Sequence, residues 1–503
     1  MRKFWVSILF ICSMMGCDRQ VPVTHELTDE RLAAAACGSC HVMPDPSLLP
    51  KEQWKNVLPH MGLRLGIETT AENPFENLNL EENQRLISAN VFPDDQLIDD
   101  SLWVRINEYF ISNAPDSMEL PVRNIPERSS LFRPVFPKLN IGGAPFISMV
   151  KFDENEDLFL ADRKGSLMLL DDSLKIDKFT SFPRPAVDIE YGRDGMVYVL
   201  SIGDIYPNDR LTGAVATFDL PSFSSPSLIF DELPRPVDFV SGDIDADGGE
   251  DLLVCNFGNY VGDLSYYRKS EDGYEQKLIK GAPGATRAFL TDVDNDTDLD
   301  VIALFAQGDE GISIFYNEVV KFREKRVLRF HPLYGSNDME LTDMDNDGDL
   351  DIVLSNGDNG DHSITLKPYH GVRIFLNDGN FNFKEAYFYP FYGSSKVRVG
   401  DFDGDGFKDI VAASFFAASG SGLNESIVVL INDGTMNFKP FSVEGADKGR
   451  WMVMDSGDYD KDGDEDVVLG SFTLAHEGID PEVLRSWQES GNHILVLENQ
   501  RNP

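Results

Sequence analysis

The chain has 503 residues, and its 85 acidic against 44 basic side chains give a formal net charge of −41. This negative charge repels nucleic acid and anionic lipid headgroups, so neither is expected as a partner. The length exceeds what one ordinary hydrophobic core supports, which predicts two or more domains.

The first residues have the features of an export signal. A short basic start precedes an apolar stretch, residues 4–15, that is too short to span a bilayer comfortably. The stretch leads into a glycine followed by Cys17, which resembles the lipobox of bacterial lipoproteins; an ordinary signal peptide that contains Cys17 is the alternative. The resemblance implies removal of residues 1–16, lipidation of Cys17 and a tether over residues 17–24. It also implies a periplasmic or cell-surface protein that meets the membrane only through its lipid anchor.

The next motif is a cysteine pair followed by a histidine: Cys37, Cys40 and His41. The C-x-x-C-H pattern is typical of covalent c-type haem attachment, because two thiols one helical turn apart reach both vinyl groups of one porphyrin while the histidine meets the iron. An alanine-rich run at residues 32–36 predicts that the motif lies at a helix end. A redox cysteine pair and half of a zinc site are the alternatives, but neither a βαβ pattern nor a second cysteine pair accompanies them. The sequence therefore predicts one covalent haem c.

The residues around this motif resemble a small class I cytochrome c domain. In that family a methionine on a loop binds the second face of the iron, and the resemblance points to Met61, with His60 as the rival ligand. Apolar residues at helical spacing over 101–111 predict a helix that packs across the first one. The haem domain is accordingly placed at residues 25–118, followed by a linker over residues 119–138.

An acidic motif, D-x-D-x-D-G-x-x-D, then recurs five times at intervals of 49–58 residues. Aspartates at its first, third and fifth positions converge in a tight loop, and the later aspartate helps to complete an oxygen cage suited to calcium. Each motif runs into an apolar β-type segment and lacks a glutamate at the twelfth position, which argues against an EF-hand. Up to five calcium ions are predicted, with a weaker second site because Thr297 stands where glycine is expected. The predicted ligands are Asp243, Asp245, Asp247, Asp251, Asp292, Asp294, Asp296, Asp300, Asp343, Asp345, Asp347, Asp351, Asp401, Asp403, Asp405, Asp409, Asp458, Asp460, Asp462 and Asp466.

A strand-and-turn signature ending in Asn-Asp-Gly follows in several repeats, as at residues 372–379. Together the two signatures resemble the FG-GAP/VCBS repeats of integrin-α-type β-propellers, over roughly residues 140–500. Five acidic units and two degenerate units before them predict seven blades. The predicted fold is thus multidomain: a small all-α cytochrome c domain followed by an all-β seven-bladed β-propeller over residues 139–503.

Basic residues recur where the predicted strands enter the ring, on the face that also carries several acidic and histidine loop residues. This face is a candidate site for an anionic ligand or a glycan, although local ion pairing with the abundant carboxylates explains the same basic residues. The residues concerned are Arg184, Arg235, Arg287, Lys396 and Arg450, with Asp309, Glu310, His362 and His476 in the loops.

The sequence favours electron transfer outside the cytoplasm, with the propeller as a docking module for a redox partner protein or membrane complex. Two alternatives stay open: a propeller dehydrogenase that passes electrons to its own haem, and a calcium-dependent adhesion or glycan-binding protein. No nucleophile elbow, catalytic-triad order or glycine-rich phosphate loop is found, so an electron-transfer or binding protein is favoured over an enzyme.

Overall fold

The computed structural model describes a helical domain followed by a β-propeller. The predicted signal peptide, the tether and the lipidation site Cys17 lie outside the described residues. In the part of the chain that is described, no helix combines the length and the apolar character needed to cross a membrane. The described residues are 27–76, 78–121, 126–220, 222–224, 226–319, 321–360, 363–416, 426–475 and 478–501.

Four helices form the helical domain: α1 (Asp29–Cys37), α2 (Lys51–Arg64), α3 (Leu80–Ser88) and α4 (Asp100–Asn113). Thr28 caps the start of α1, and Asn79 forms a capping box with Glu82 at the start of α3. Helix α4 packs against both α1 and α2, and the rings of Trp54 and Phe110 meet at 4.6 Å in the shared core. The helix predicted at the end of this domain is confirmed as α4.

The described strands form seven antiparallel four-stranded sheets, which confirms the predicted seven-bladed propeller. Strand β1 (Phe132–Val135) precedes blade 1, which contains β2 (Ile147–Phe152), β3 (Leu158–Asp162), β4 (Ser166–Leu170) and β5 (Ile176–Ser181). Blade 2 contains β6 (Ala186–Tyr191), β7 (Val197–Ser201), β8 (Leu211–Phe218) and β9 (Ser227–Pro234), and blade 3 contains β10 (Pro236–Gly242), β11 (Asp251–Asn256), β12 (Asp263–Ser270) and β13 (Gly273–Lys280). Blade 4 contains β14 (Ala285–Thr291), β15 (Asp300–Phe305), β16 (Gly311–Asn317) and β17 (Phe322–Arg329), and blade 5 contains β18 (Ser336–Thr342), β19 (Asp351–Asn356), β20 (Gly371–Asn377) and β21 (Phe383–Pro390). Blade 6 contains β22 (Ser394–Gly400), β23 (Asp409–Ser414), β24 (Ile427–Asn432) and β25 (Phe438–Ser442); blade 7 contains β26 (Trp451–Gly457), β27 (Asp466–Ser471) and β28 (Ile494–Asn499), with α5 (Pro481–Ser490) between the last two.

Blade 7 joins the two ends of the propeller. Strand β1 is its outer strand and pairs antiparallel with β28, which places Phe132 opposite Asn499. The predicted linker over residues 119–138 is therefore wrong in its second half, because residues 132–135 complete the last sheet. This strand has four residues and a single buried side chain, Phe132, so it carries almost no alternating pattern that a sequence could reveal.

Hydrophobic clusters lie between neighbouring blades and hold the ring together. One cluster packs Val411 and Val429 of blade 6 against Trp451 and Leu469 of blade 7. The second strand of most blades is completely buried, because side chains on both of its faces pack against adjacent sheets. The propeller is consequently a closed ring of rigid sheets.

The helical domain docks on one face of this ring. Its partners are the loops β7–β8, β11–β12 and β19–β20, which all connect a second strand to a third, so we call this side the docking face. Glu82 of α3 accepts a hydrogen bond from the amide of Asp209 at 3.3 Å and pairs with Arg210 at 3.4 Å. The guanidinium of Arg64 lies 4.9 Å from the ring centre of Tyr260, and the Tyr369 hydroxyl donates to the carbonyl of Leu48 at 3.3 Å. The loops between first and second strands lie on the opposite face.

Asp209 organises the loop on which the helical domain rests. Its carboxylate Oδ1 accepts three backbone hydrogen bonds, from Asn259 at 3.1 Å and from Tyr260 and Val261 at 2.8 Å, and the residue is fully buried. We expect Asp209→Ala to cost about 2–4 kcal/mol, because three partly buried amides lose their fully buried acceptor. Amide hydrogen exchange should rise in the β11–β12 loop and in α3, whereas Asp219→Ala, at an exposed turn on the opposite face of the same blade, should leave both unchanged.

Candidate metal-binding loops and haem-attachment motif

Each of the five acidic motifs forms the loop between the first and second strands of one blade, from blade 3 to blade 7. In every loop, ligand atoms of three aspartates lie within 4.8 Å of one another. Such a cluster of carboxylate oxygens is the donor set that a hard divalent cation prefers. The clustered residues are Asp243, Asp245 and Asp251; Asp292, Asp294 and Asp300; Asp343, Asp345 and Asp347; Asp401, Asp403 and Asp409; and Asp458, Asp460 and Asp466.

The other predicted ligands have identifiable places in the same loops. Asp247, Asp296, Asp405 and Asp462 each accept a hydrogen bond from the backbone amide two residues ahead, at 2.8–3.2 Å. They shape the turn beside the cluster. In blade 5, Asp347 accepts the same hydrogen bond, from Asp349 at 3.0 Å, but it also belongs to the cluster, where it takes the place of Asp351.

The last aspartate of each motif fastens the loop to the third strand of its blade. In blade 5, Oδ2 of Asp351 accepts from the amide of Met344 at 2.9 Å, and Oδ1 accepts from the amide of Asn377 at 2.8 Å. The side chain of Asn377 then donates to the carbonyl of Leu350 at 3.1 Å. This arrangement explains why an asparagine stands at the end of the third strand, a link between the two signatures that the sequence analysis missed. In blades 3, 4, 6 and 7 the last aspartate of the motif accepts in the same way from a backbone amide of the third strand. These amides belong to Lys269, Asn317, Asn432 and Asn499.

The electrostatics of these loops favour a cation. Burial, together with neighbouring aspartates, raises the pKa of Asp409 to about 7 and that of Asp466 to about 8. A divalent ion would reverse this effect, because an adjacent positive charge favours the ionised carboxylate.

Two loops depart from the common pattern. Thr297 in blade 4 adopts a left-handed φ of 82°, where the other four motifs have glycine, and a non-glycine residue there carries backbone strain. In blade 3 the guanidinium of Arg268 pairs with Asp245 and with Asp247, so a positive charge already lies beside the carboxylates. Both features predict weaker cation binding than in blades 5–7.

The C-x-x-C-H motif lies where helix α1 ends, as predicted. Cys37 is the last residue of α1 and is partly buried, whereas Cys40 is exposed. Nδ1 of His41 is 2.9 Å from the carbonyl oxygen of Val42. If Nδ1 carries the proton and donates to that carbonyl, Nε2 is left with its lone pair, which is the form that ligates iron.

A cavity of about 850 Å³ opens between this motif and the propeller. It is lined by Cys40 on the helical side and by residues of blades 3 and 4 on the other, among them Phe305 and Asp309. His41 is close enough to Asp309 and Arg329 for their charges to act on its pKa, which burial lowers. The volume lies in the range of cofactor sites, and one of the two motif thiols, that of Cys40, lines the cavity, so space and thiol fit a covalently attached haem.

Met61 and His60 both lie inside helix α2 rather than on the loop that the cytochrome resemblance implies. Successive residues of a helix point about 100° apart, so the two side chains cannot face the same side. Met61 packs against the core of the helical domain. The choice between them stays a prediction.

The basic residues predicted on the docking face have partners within the chain. Arg287 pairs with Asp238 at 2.9 Å and Lys396 with Asp338 at 3.6 Å, among the innermost strands that line the central channel. Arg184 pairs with Asp231. Arg235 and Arg450 each donate a hydrogen bond to a backbone carbonyl oxygen. His362 and His476 lie outside the described residues.

Glu310, beside Asp309, is buried and accepts hydrogen bonds from the amides of Ser336 at 3.0 Å and Gly335 at 3.4 Å. Burial raises the pKa of Glu310 to about 8, above the ordinary glutamate value of about 4.3. The folded protein therefore holds this proton more tightly than the unfolded chain does. Its contribution to stability is complete below about pH 4 and is lost as the pH rises through 8.

We expect the free energy of unfolding of the wild type to fall between pH 5 and 9 relative to that of Glu310→Gln, by roughly 2–4 kcal/mol. The amide does not ionise, and its single oxygen keeps an acceptor for one of the two backbone N–H groups. Urea unfolding at constant calcium measures the difference, and the exposed Glu271→Gln serves as the matched control. Parallel pH profiles for wild type and Glu310→Gln would contradict the assignment.

Comparison with known proteins agrees with this geometry. A family model described as an FG-GAP-like repeat matches residues 292–354 and 343–412, and each match begins at the first aspartate of an acidic motif. The chain carries FG-GAP-like repeats folded into a seven-bladed β-propeller. Such a propeller suggests a binding or docking module.

Curated protein sequences yield no match to this chain. Among solved structures, the N-terminal domain of Nup159 is 13% identical with a TM-score of 0.43, covering 76% of this chain and 99% of that chain. BBS1N in complex with ARL6DN is 7% identical with a TM-score of 0.43, and the match covers 75% of this chain and 99% of that chain. A chain in a structure of S. cerevisiae Dbp5 bound to Nup159 is 11% identical with a TM-score of 0.41, and the match covers 76% of this chain and 98% of that chain.

Proposed function

We propose that this protein is an extracytoplasmic haem c electron-transfer protein in which a calcium-stabilised propeller carries the haem domain and docks a redox partner. The observation that carries the proposal is the placement of Cys37, Cys40 and His41 at the end of α1, beside the cavity that Cys40 lines. Haem, when bound, supplies a one-electron Fe(III)/Fe(II) couple.

The residues of the helical domain have distinct tasks in this proposal. Cys37 and Cys40 fix the porphyrin by thioether bonds, so the cofactor cannot dissociate. His41 binds the iron through Nε2, oriented by the contact of its Nδ1 with Val42. Met61 is the proposed second ligand and His60 its rival, and a thioether there gives a higher reduction potential than a second imidazole.

The propeller holds up to five calcium ions in the loops of blades 3–7, which supports its role as a rigid scaffold. The twenty motif aspartates bring the negative charge that the ions offset. The cation loops lie on the face opposite to the helical domain, so ion binding and electron transfer do not compete for the same surface. We further propose that lipid on Cys17 anchors the mature protein to a bacterial membrane, where its partner is a redox protein or a membrane complex.

The test is covalent haem content after maturation in a host that exports and assembles c-type cytochromes. Purified wild-type protein should retain one haem per chain after acid–solvent extraction, measured by pyridine haemochrome spectra and intact mass. The double variant Cys37→Ser/Cys40→Ser should retain none. Cys255→Ser removes a cysteine that is buried in the propeller and is the matched control, with full haem content expected.

Wild-type protein without a Soret band or added haem mass would overturn the proposal. With haem present, Met61→Ala and His60→Ala distinguish the two candidate ligands. Loss of the true ligand changes the midpoint potential and the visible spectrum, while loss of the other leaves both unaltered.

A further inference from the structure

We infer that the propeller supplies the binding site for the two propionate carboxylates of the haem, through Lys280, Arg326 and Arg329. This inference rests on the proposed function, because it requires a haem on Cys37 and Cys40. It assigns to blades 3 and 4 a part of the cofactor site that the C-x-x-C-H motif alone does not provide.

The position of these cations follows from the cavity beside Cys40. Lys280 ends β13 in blade 3, whereas Arg326 and Arg329 lie on β17 in blade 4, and all three line the same cavity as Cys40. A porphyrin bonded to Cys40 therefore extends over the surface that these residues form. Strands rather than mobile loops hold the cations, so their positions are fixed before a ligand arrives.

The charge of the cavity is opposite to that of the chain. Its lining contains the three basic residues and only two acidic ones, Asp309 and Glu324, in a protein with a formal net charge of −41. A cavity with a net positive lining is suited to a dianionic ligand, which the haem propionates provide.

The two acidic residues hold the cations in place without using all their donors. Asp309 pairs with Arg326 at 2.6 Å and with Arg329 at 2.7 Å. Glu324 pairs with Lys280 at 2.6 Å and lies 3.7 Å from Arg326. Each guanidinium has five N–H donors, so Arg329 keeps groups for a second carboxylate and Arg326 for a third.

Partial burial strengthens this site. The side chains of Lys280 and Arg326 are 19% and 21% exposed, and the ammonium of Lys280 also lies 4.6 Å from the ring centre of Phe305. Charge pairs in such partly desolvated positions are stronger than fully exposed ones. The cations should therefore influence the iron itself, because a positive charge beside the porphyrin favours the reduced state.

The experiment measures the midpoint potential of the full-length haem protein in three variants: Arg326→Gln, Arg329→Gln and Lys280→Gln. Each is expected to lower the equilibrium constant for reduction about three- to tenfold, which is roughly 30–59 mV for a one-electron couple. Haem content stays complete, because the thioether bonds do not depend on these residues. Arg323→Gln is the matched control, since Arg323 lies on the same strand but at its other end, where it pairs with Glu318 at 2.7 Å.

The outcomes separate the two proposals. Absence of covalent haem in the wild type would contradict both the proposed function and this inference. A haem-loaded protein in which the cavity variants and Arg323→Gln give the same potential as the wild type overturns the inference alone. Lys280 lies in a different blade from the two arginines, so the Lys280 variant still tests the inference if an arginine variant does not fold.

Discussion

Chelating calcium with EGTA is expected to lower the melting temperature of the propeller by on the order of 15 °C. A ligand at 100 times its dissociation constant stabilises the folded state by about 2.7 kcal/mol per site, so five occupied loops contribute more than about 10 kcal/mol. For a ring of about 370 residues, an unfolding entropy of about 2.1 cal/mol/K per residue makes each kcal/mol worth roughly 1.3 °C. Differential scanning calorimetry with and without EGTA measures the shift.

Single-site variants test whether the acidic loops cause this effect. Asp345→Asn in blade 5 should remove roughly one site's share of the calcium-dependent shift. Asp245→Asn in blade 3 should remove less, because Arg268 already weakens that loop. Glu271→Gln, an exposed carboxylate in a turn on the same face as the cation loops, should leave the shift intact. A melting temperature that is insensitive to EGTA would rule out the calcium assignment.

Phe132→Ala is expected to destabilise the propeller by about 3 kcal/mol or more. Phe132 is 5% exposed, packs edge-on against Phe402 at 5.7 Å, and is the buried side chain of the strand that closes the ring. Its removal leaves a cavity in blade 7 and weakens the contact that ties the two ends of the propeller together. Urea unfolding measures the loss.

The control for ring closure lies on the same strand. Arg133 is exposed and pairs with Glu498 across the β1–β28 register, so Arg133→Ala should cost less than about 1 kcal/mol. Equal losses for both variants would mean that β1 contributes surface electrostatics rather than ring closure. Unfolding of Phe132→Ala in two steps would indicate that blade 7 opens before the other blades.

The repeated part of the fold could be predicted from the sequence because five of the blades carry the same sequence pattern. Every acidic loop has aspartates at fixed spacing and every third strand ends in a turn, so five copies in register define the blades. The motif of Cys37, Cys40 and His41 was equally recognisable, since its C-x-x-C-H spacing is a local pattern typical of haem attachment.

The parts that escaped prediction depend on contacts between residues distant in sequence. Strand β1 is defined by its pairing with β28 near the other end of the chain, where Phe132 lies opposite Asn499, and its own four residues carry no clear pattern. The docking of the helical domain on Asp209 and Tyr260 depends on single hydrogen bonds and ring contacts that no local periodicity reveals. The same holds for Met61, whose helix continues through Pro59 where a loop was expected.

One strand connects the two sites of blade 4. Strand β15 begins at Asp300, in the acidic loop that contains Thr297, and after six residues, about 20 Å, it reaches the loop that lines the cavity beside Cys40. The backbone strain at Thr297 should make ion release from blade 4 easier than from blades 5–7. If the acidic loops hold calcium as proposed, mild calcium depletion should therefore loosen the cavity wall while blades 5–7 still keep the ring closed.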